Sequence, residues 1–376
     1  MSEKKFNYEM HYFRALAILL IVCQHLGYIR YANSPSIAVF NDVIFSLFTN
    51  SSAAFAFIAG YLAYYLEKKK FIKLDRFDFW NAYKSYVVKK IKNVYCPMVF
   101  VSLILVLYTY FSLLYSHSNN FGVDVTRLDL NFSLSNLINM IVMIALGHEQ
   151  GQFWYIPFTM VLFFLAPFLF LVSDKQLKYI SICLFSLPIF VGREGFDFYT
   201  GGFWCFVSNF CYFSPFFVYG MFFCRYECEV RRWVLFNKYL IICLFIFTTV
   251  LLFLNFRCGS LHSFPIMNAL WYFQKIFLIL ILLIFVERLY KHLGLNKYLD
   301  ILARYSFCIF FLHVCLGIPI ITLIFNKLLN YVDKNYLLTM VLLNIIAICF
   351  TLLLSVLIGF LGKKIFGKRS RMFLGV

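Results

Sequence analysis

Apolar runs of about twenty residues recur along the whole chain, and this recurrence leaves few folds open. Ten can be drawn: 10–29, 43–66, 94–115, 153–173, 178–192, 203–224, 239–256, 268–287, 301–325 and 336–361, the fifth of them short. A membrane-crossing helix needs about 20 apolar residues and a barrel strand only about 10. The pattern therefore predicts an all-α, multi-pass integral membrane bundle of about ten transmembrane helices. Composition agrees. The chain is 62% hydrophobic and 14% charged, where a soluble domain carries about 25% charged residues.

The charges that remain are mostly positive and unevenly placed. The formal net charge is +17. An even number of spans puts both ends of the chain on one side. Giving that side to the cytoplasm assigns it Lys4, Lys5, a strongly basic loop from Lys68 to Lys92, Lys175, Lys178, the stretches Arg225–Lys238 and Arg288–Arg304, and the basic tail. The other face receives Arg30, Arg127, Arg193, Arg257, Lys327 and Lys334. This is the asymmetry of membrane proteins whose termini are both cytoplasmic. No basic segment carries a nucleic-acid-binding pattern, so no nucleic acid is expected as a partner.

Lys4 and Lys5 precede an apolar stretch, as in a secretory signal, but no small-residue cleavage site follows. The stretch reads as an uncleaved first helix. Leu137–Leu146 is apolar but too short to span and reads as a re-entrant or interfacial helix. The loop 116–135 is polar and nearly free of Lys and Arg. The twelve cysteines are scattered, mostly within apolar runs, and form no CxxC pair. They read as small buried hydrophobes; neither a disulfide frame nor a metal site is expected. Residues 1–376 are expected to form one membrane domain with no appended soluble domain.

The first run carries Arg14 and His25, eleven positions apart. On a helix that spacing leaves them within roughly 20° of one face and about 16 Å apart along the axis. An ionisable residue inside a membrane helix costs about 2.5–3.5 kcal/mol and normally faces protein or a wet cavity. A neutral imidazole can take a proton from a hydroxyl, and a guanidinium can bind phosphate in bidentate fashion. Their ordinary roles would be a hydrogen bond between helices and a reach for headgroups. Lys89, Lys90 and Lys92 open the third run and read either as a stop-transfer cluster or as a phosphate-binding patch. Gln152-Phe153-Trp154-Tyr155-Ile156-Pro157 opens the fourth, either as an interfacial aromatic belt or as part of a substrate site. His313, within Ser306–His313, and Lys275 are the other polar residues singled out inside apolar runs. Lys275 would face the same cavity or snorkel outward.

These motifs, in this order, resemble acyltransferase family 3, multi-pass membrane acyltransferases of cell-surface glycans. Tyr12 to His25 keeps the Arg-to-His spacing of the family's "GLRALAVLLVVLFH". Phe55 to Leu62 resembles "FFxxSGYL", with Ala59 in place of the serine. Lys89 to Pro97 resembles "KRIKRLLIP", with Asn93 where an arginine is expected. Gln152 to Ile156 resembles "HLWFL", with Gln152 replacing the histidine, and Ser306 to His313 matches "SFxIYLxH". The resemblance implies transfer of an acyl group, most often acetyl, from cytoplasmic acyl-CoA to a hydroxyl of a polysaccharide, lipopolysaccharide or other glycan. No cofactor would be permanently bound. It implies a bacterial cytoplasmic (inner) membrane location, His25 and Arg14 as catalytic residues, and Arg14, Lys89, Lys90 and Lys92 around the donor phosphates. Gln152, Trp154, Tyr155, Lys275 and His313 would face substrate. The alternative is a transporter or flippase of a small anionic or lipid-linked molecule, with Arg14 and Lys275 as cavity charges. The internal repeats common in such proteins are not evident.

Overall fold

In a computed structural model the chain is described at residues 7–29, 34–72, 74–116, 134–147, 152–191, 198–258, 264–328 and 337–376. Lys4, Lys5, Arg30, Arg127, Arg193, Lys334 and most of the polar loop 116–135 lie outside the described residues. Among the described residues the secondary structure is helical throughout, with no strand. In chain order the helices are α1 Tyr8–Leu26, α2 Pro35–Phe48, α3 Ser52–Phe71, α4 Arg76–Lys90, α5 Cys96–Ser116 and α6 Leu134–Leu146. They continue with α7 Tyr155–Leu171, α8 Asp174–Phe190, α9 Phe198–Arg225, α10 Glu227–Phe236 and α11 Lys238–Cys258. The last are α12 Phe264–Leu293, α13 Lys297–Arg304, α14 Ser306–Leu328, α15 Leu337–Phe366 and α16 Ser370–Leu374.

Seven helical stretches among the described residues are long and apolar enough to cross a membrane: 35–71, 77–108, 206–225, 238–257, 266–293, 306–324 and 337–374. Length and composition thus support seven of the ten expected spans. Helices α7 and α8 have seventeen residues each, about 25 Å of rise against a hydrocarbon core of about 30 Å. Helix α1, with Glu9 and Arg14 inside its nineteen residues, is not among the seven either. The short apolar stretch before Gly147 is the thirteen-residue α6.

Two expectations need correction. The basic segment from Lys68 to Lys92 is not a loop. Its second half is α4, which runs through a π turn at Ile91–Tyr95 into α5. Pro97 gives the reason. It has no N–H to bond the carbonyl of Asn93 and its ring crowds that carbonyl, and a widened turn accommodates both. The run 43–66 is not one helix but the end of α2 and most of α3. At the break Asn50 takes φ 65°, the only positive φ outside glycine among the described residues. An asparagine tolerates that conformation better than a branched residue would.

The helices gather into two compact units, and each draws on separate segments. The first contains residues up to Ile21, Asp42–Tyr83 and Leu162–Ala303. Its main contact is α3 against α9. A Cβ on Gly60 would lie 1.8 Å from the Phe217 carbonyl oxygen, and one on Gly220 would lie 1.9 Å from that of Phe57. The two backbones therefore touch. This is the small-residue packing that helices use in lipid, where apolar burial alone gives no preference for a neighbouring helix over acyl chains. Arg231 of α10 binds three carboxylates in this unit: Glu9 at 2.6 Å, Glu227 at 2.8 Å and Glu287 at 3.3 Å. Burial alone would lower the Arg231 pKa, but the hydrogen bond to Glu227 and the three negative charges outweigh it and raise the pKa.

The second unit contains Val22–Asn41, Lys84–Val161 and Arg304–Val376. Here α15 buries a narrow face of Asn344, Ala347, Thr351, Ser355, Gly359 and Gly362, repeating every three or four residues. Gly359 faces Tyr305 and Cys308. Leu342, Ile346, Phe350, Leu353 and Leu357 are exposed on the rest of α15, as lipid-facing residues should be. Ten cysteines are free thiols among the described residues.

Gly60→Val and Gly220→Val should each lower the thermal midpoint of detergent-purified protein. The new side chain meets backbone, which cannot swing aside, so the loss should reach at least ~1–3 kcal/mol. Unchanged midpoints would mean that the α3–α9 crossing is not a tight backbone contact.

Candidate active site

Each unit contains its own share of the expected site residues. In the second, His25 lies in the last turn of α1, half-buried, and His313 lies two turns into α14, fully buried. The two imidazole centroids are 5.3 Å apart, with planes inclined at 55°. His313 Nδ1 is 3.0 Å from the carbonyl of Ile309 and 2.9 Å from that of Phe310. Carbonyls only accept, so Nδ1 carries a proton, and in the neutral ring the lone pair is on Nε2. That Nε2 is buried and has no hydrogen-bond partner among the described residues. In the neutral ring this tautomer leaves Nε2 as the acceptor of the imidazole that sits beside His25.

Two contacts hold the end of α1 where His25 projects. Asn344 of α15 donates from Nδ2 to the carbonyl of Gly27 at 2.9 Å, satisfying a backbone oxygen that the end of α1 leaves open. Gly317 of α14 lies against Leu26, where a Cβ would come within 2.4 Å of a Leu26 methyl. Asn344 was not singled out from the sequence. Its signal was present as the one amide in the run 336–361.

The motif that opens α7 lies against the same part of α14. The Phe153 ring meets that of Phe311 at 5.8 Å, and the Tyr155 ring meets that of Phe310 at 6.0 Å. The Phe310 ring in turn lies 6.2 Å from that of His313. Tyr155 is buried, while Trp154 is half-buried and packs on Tyr155. Gln152 is buried at 2% exposure, and neither Nε2 nor Oε1 of its amide has a hydrogen-bond partner among the described residues. Lys89 and Lys90 end α4, and Lys92 lies in the π turn. Lys89 and Lys92 are exposed, and Lys90 stacks over the Tyr86 ring at 5.2 Å. Tyr95, at the end of that turn, donates to the carbonyl of Ala145 at 2.9 Å and fixes the turn against α6.

The first unit contains the other two cations. Arg14 donates from Nη2 to the carbonyl of Ala303, next to the end of α13. Its neighbours reach the same stretch: His11 meets the Asp300 carboxylate at 3.1 Å, and the Tyr12 hydroxyl donates to the carbonyl of Gly294 at 2.8 Å. Lys275 is buried at 1% exposure, so it does not snorkel outward. Its ammonium donates to the carbonyl of Leu47 at 2.7 Å, while Gln274 Nε2 donates to that of Ser46 at 2.7 Å. The two side chains cap the C-terminal end of α2 at the break before α3, where a cation also meets the negative end of the helix dipole.

The described helices thus form an all-helical membrane frame in which a half-buried and a buried imidazole lie side by side. A family model described as an acyltransferase domain matches residues 7–360, nearly the whole chain, and the protein belongs to that family, acyltransferase family 3. It is therefore a membrane acyltransferase. No curated protein and no solved structure matches the chain.

Asn344→Leu should leave the Gly27 carbonyl without its donor and cost ~1–3 kcal/mol. Thermal unfolding in detergent checks it, and an unaltered midpoint would show that the cap contributes nothing to holding α1.

Proposed function

We propose that this protein transfers an acyl group, acetyl in the usual case for its family, from cytoplasmic acyl-CoA to a hydroxyl of a cell-surface or exported glycan. It would do so in the cytoplasmic membrane of a bacterium with both termini inside. The observation that supports this best is His25 beside an imidazole whose proton is fixed on Nδ1.

In this reading His25 takes the proton of the acceptor hydroxyl as its oxygen attacks the thioester carbonyl. A C–O bond forms and the carbonyl electron pair moves to oxygen. Collapse breaks the C–S bond, and CoA leaves as thiolate, which takes up the proton that His25 has held. His313, with Nδ1–H held by backbone carbonyls and, in its neutral form, an accepting Nε2, serves as the neighbour that accepts a hydrogen bond from His25 or from the bound acceptor. Lys89, Lys90 and Lys92 supply positive charge for the donor phosphates. Arg14, three turns before His25 on α1, is the other cation assigned to them. Trp154 and Tyr155 offer aromatic surface to the acceptor. Lys275 remains assigned to the substrate side, with its cap on α2 as the anchor. A long acyl donor and a glycan on opposite faces of a bilayer can react only through a wet passage, which accounts for polar groups in otherwise apolar helices.

His25→Ala should abolish transfer from radiolabelled acetyl-CoA to surface glycan, a loss of at least ~10²-fold, while membrane expression stays normal. Near-normal labelling would refute His25 as base. The triple change Lys89→Ala, Lys90→Ala, Lys92→Ala should raise the apparent KM for acetyl-CoA about tenfold or more and leave kcat within a few-fold. An unchanged KM would remove the lysines from the donor site.

A further inference from the structure

The acyl-transfer step builds negative charge on the thioester oxygen, and a site that accelerates it needs a donor waiting for that charge. Among the described residues of the second unit, Gln152 has the required properties. It is 2% exposed, and its amide, with two N–H donors, bonds to nothing. Leaving a buried amide unsatisfied lowers stability, so such groups mark places where a ligand or water completes the set. The backbone around it is firmly placed. Gly147, at φ 68°, packs so closely on the carbonyl of Phe153 that a Cβ would stand 2.6 Å from it. Phe153 and Tyr155 clamp the segment to Phe311 and Phe310. Phe310, which Tyr155 meets, shares a face of α14 with His313, their rings 6.2 Å apart, and the His313 ring lies beside that of His25.

We propose that Gln152 is the oxyanion donor of the reaction. The proposal rests on the acyltransferase reading above. As the hydroxyl oxygen adds to the thioester carbon and the π pair moves to the carbonyl oxygen, Gln152 Nε2–H donates to that oxygen. The bond is strongest when the full charge is there and relaxes when C–S cleavage restores the carbonyl. Gln152 neither gains nor loses a proton.

The test uses the full chain in lipid nanodiscs and follows thioester cleavage of acetyl-CoA, which passes through the same tetrahedral oxyanion with water as acceptor. Gln152→Leu and Gln152→Glu, which lose the donor in different ways, should each lower kcat by about 10²–10³-fold while KM for acetyl-CoA stays within about threefold. Gln152→His, which restores an N–H, should retain activity within about tenfold of the parent. The thermal midpoint of Gln152→Leu should equal or exceed that of the parent, because an unsatisfied amide has been replaced by an apolar group of similar size. If the leucine variant fails to fold, Gln152→Met carries the same expectation. A kcat within about fivefold of the parent in a folded leucine or methionine variant overturns the proposal, as does a change confined to KM. A histidine variant as slow as the leucine one overturns it too. A parent protein that cleaves no acetyl-CoA, and labels no acceptor from it, ends the acyltransferase reading and this proposal together. An active parent with an undiminished leucine variant ends this proposal alone.

Discussion

A backbone carbonyl at the end of a helix has no partner within that helix, and the bilayer supplies no water to replace it. Much of this structure is arranged around that constraint. The open carbonyls of α2 are taken by Gln274 and Lys275, that of Gly27 beyond α1 by Asn344, and that of Ala145 in α6 by Tyr95. Those near the ends of α12 and α13 are taken by Tyr12 and Arg14. Each donor comes from an element other than the one it caps, so each cap is also a joint. Helices that gain little from apolar burial against one another are fastened where they stop.

This changes how polar residues in apolar runs should be read. Arg14 and Lys275 stand out in the sequence because charge is costly in a membrane helix, and that cost marks them as paired with something. The sequence does not say with what. Both are found on carbonyls at helix ends, a role whose partner is backbone and leaves no side-chain pattern to detect. His313 differs. Its partners are also backbone carbonyls, but within its own helix, and they use only one of its two nitrogens.

The apolar runs were legible as spans because their period and length follow directly from the bilayer. The interruption at Asn50 was not, since every residue around it remains apolar or small and the run reads through. Nor was α4, whose Lys-rich composition reads as a loop when charge is the only guide. Gly60 was visible as part of a motif, yet its purpose appears only with Phe217 and Gly220 opposite it. The proximity of His25 to His313 required the fold, because 288 positions separate them. In the sequence Gln152 is a replacement within a motif; the structure adds that its amide is buried and unbonded among the described residues.

The π turn at Ile91–Tyr95 is, in effect, an α-helix with one surplus residue. Removing any one of the five would close the helix to its usual gauge and swing everything before it through about 100° relative to α5. Lys89 and Lys90 would then point along a different azimuth while every span kept its length and hydropathy. A one-codon deletion there would thus redirect the basic cluster without touching the parts of the chain that make it a membrane protein, and a single insertion could have created the arrangement in the first place.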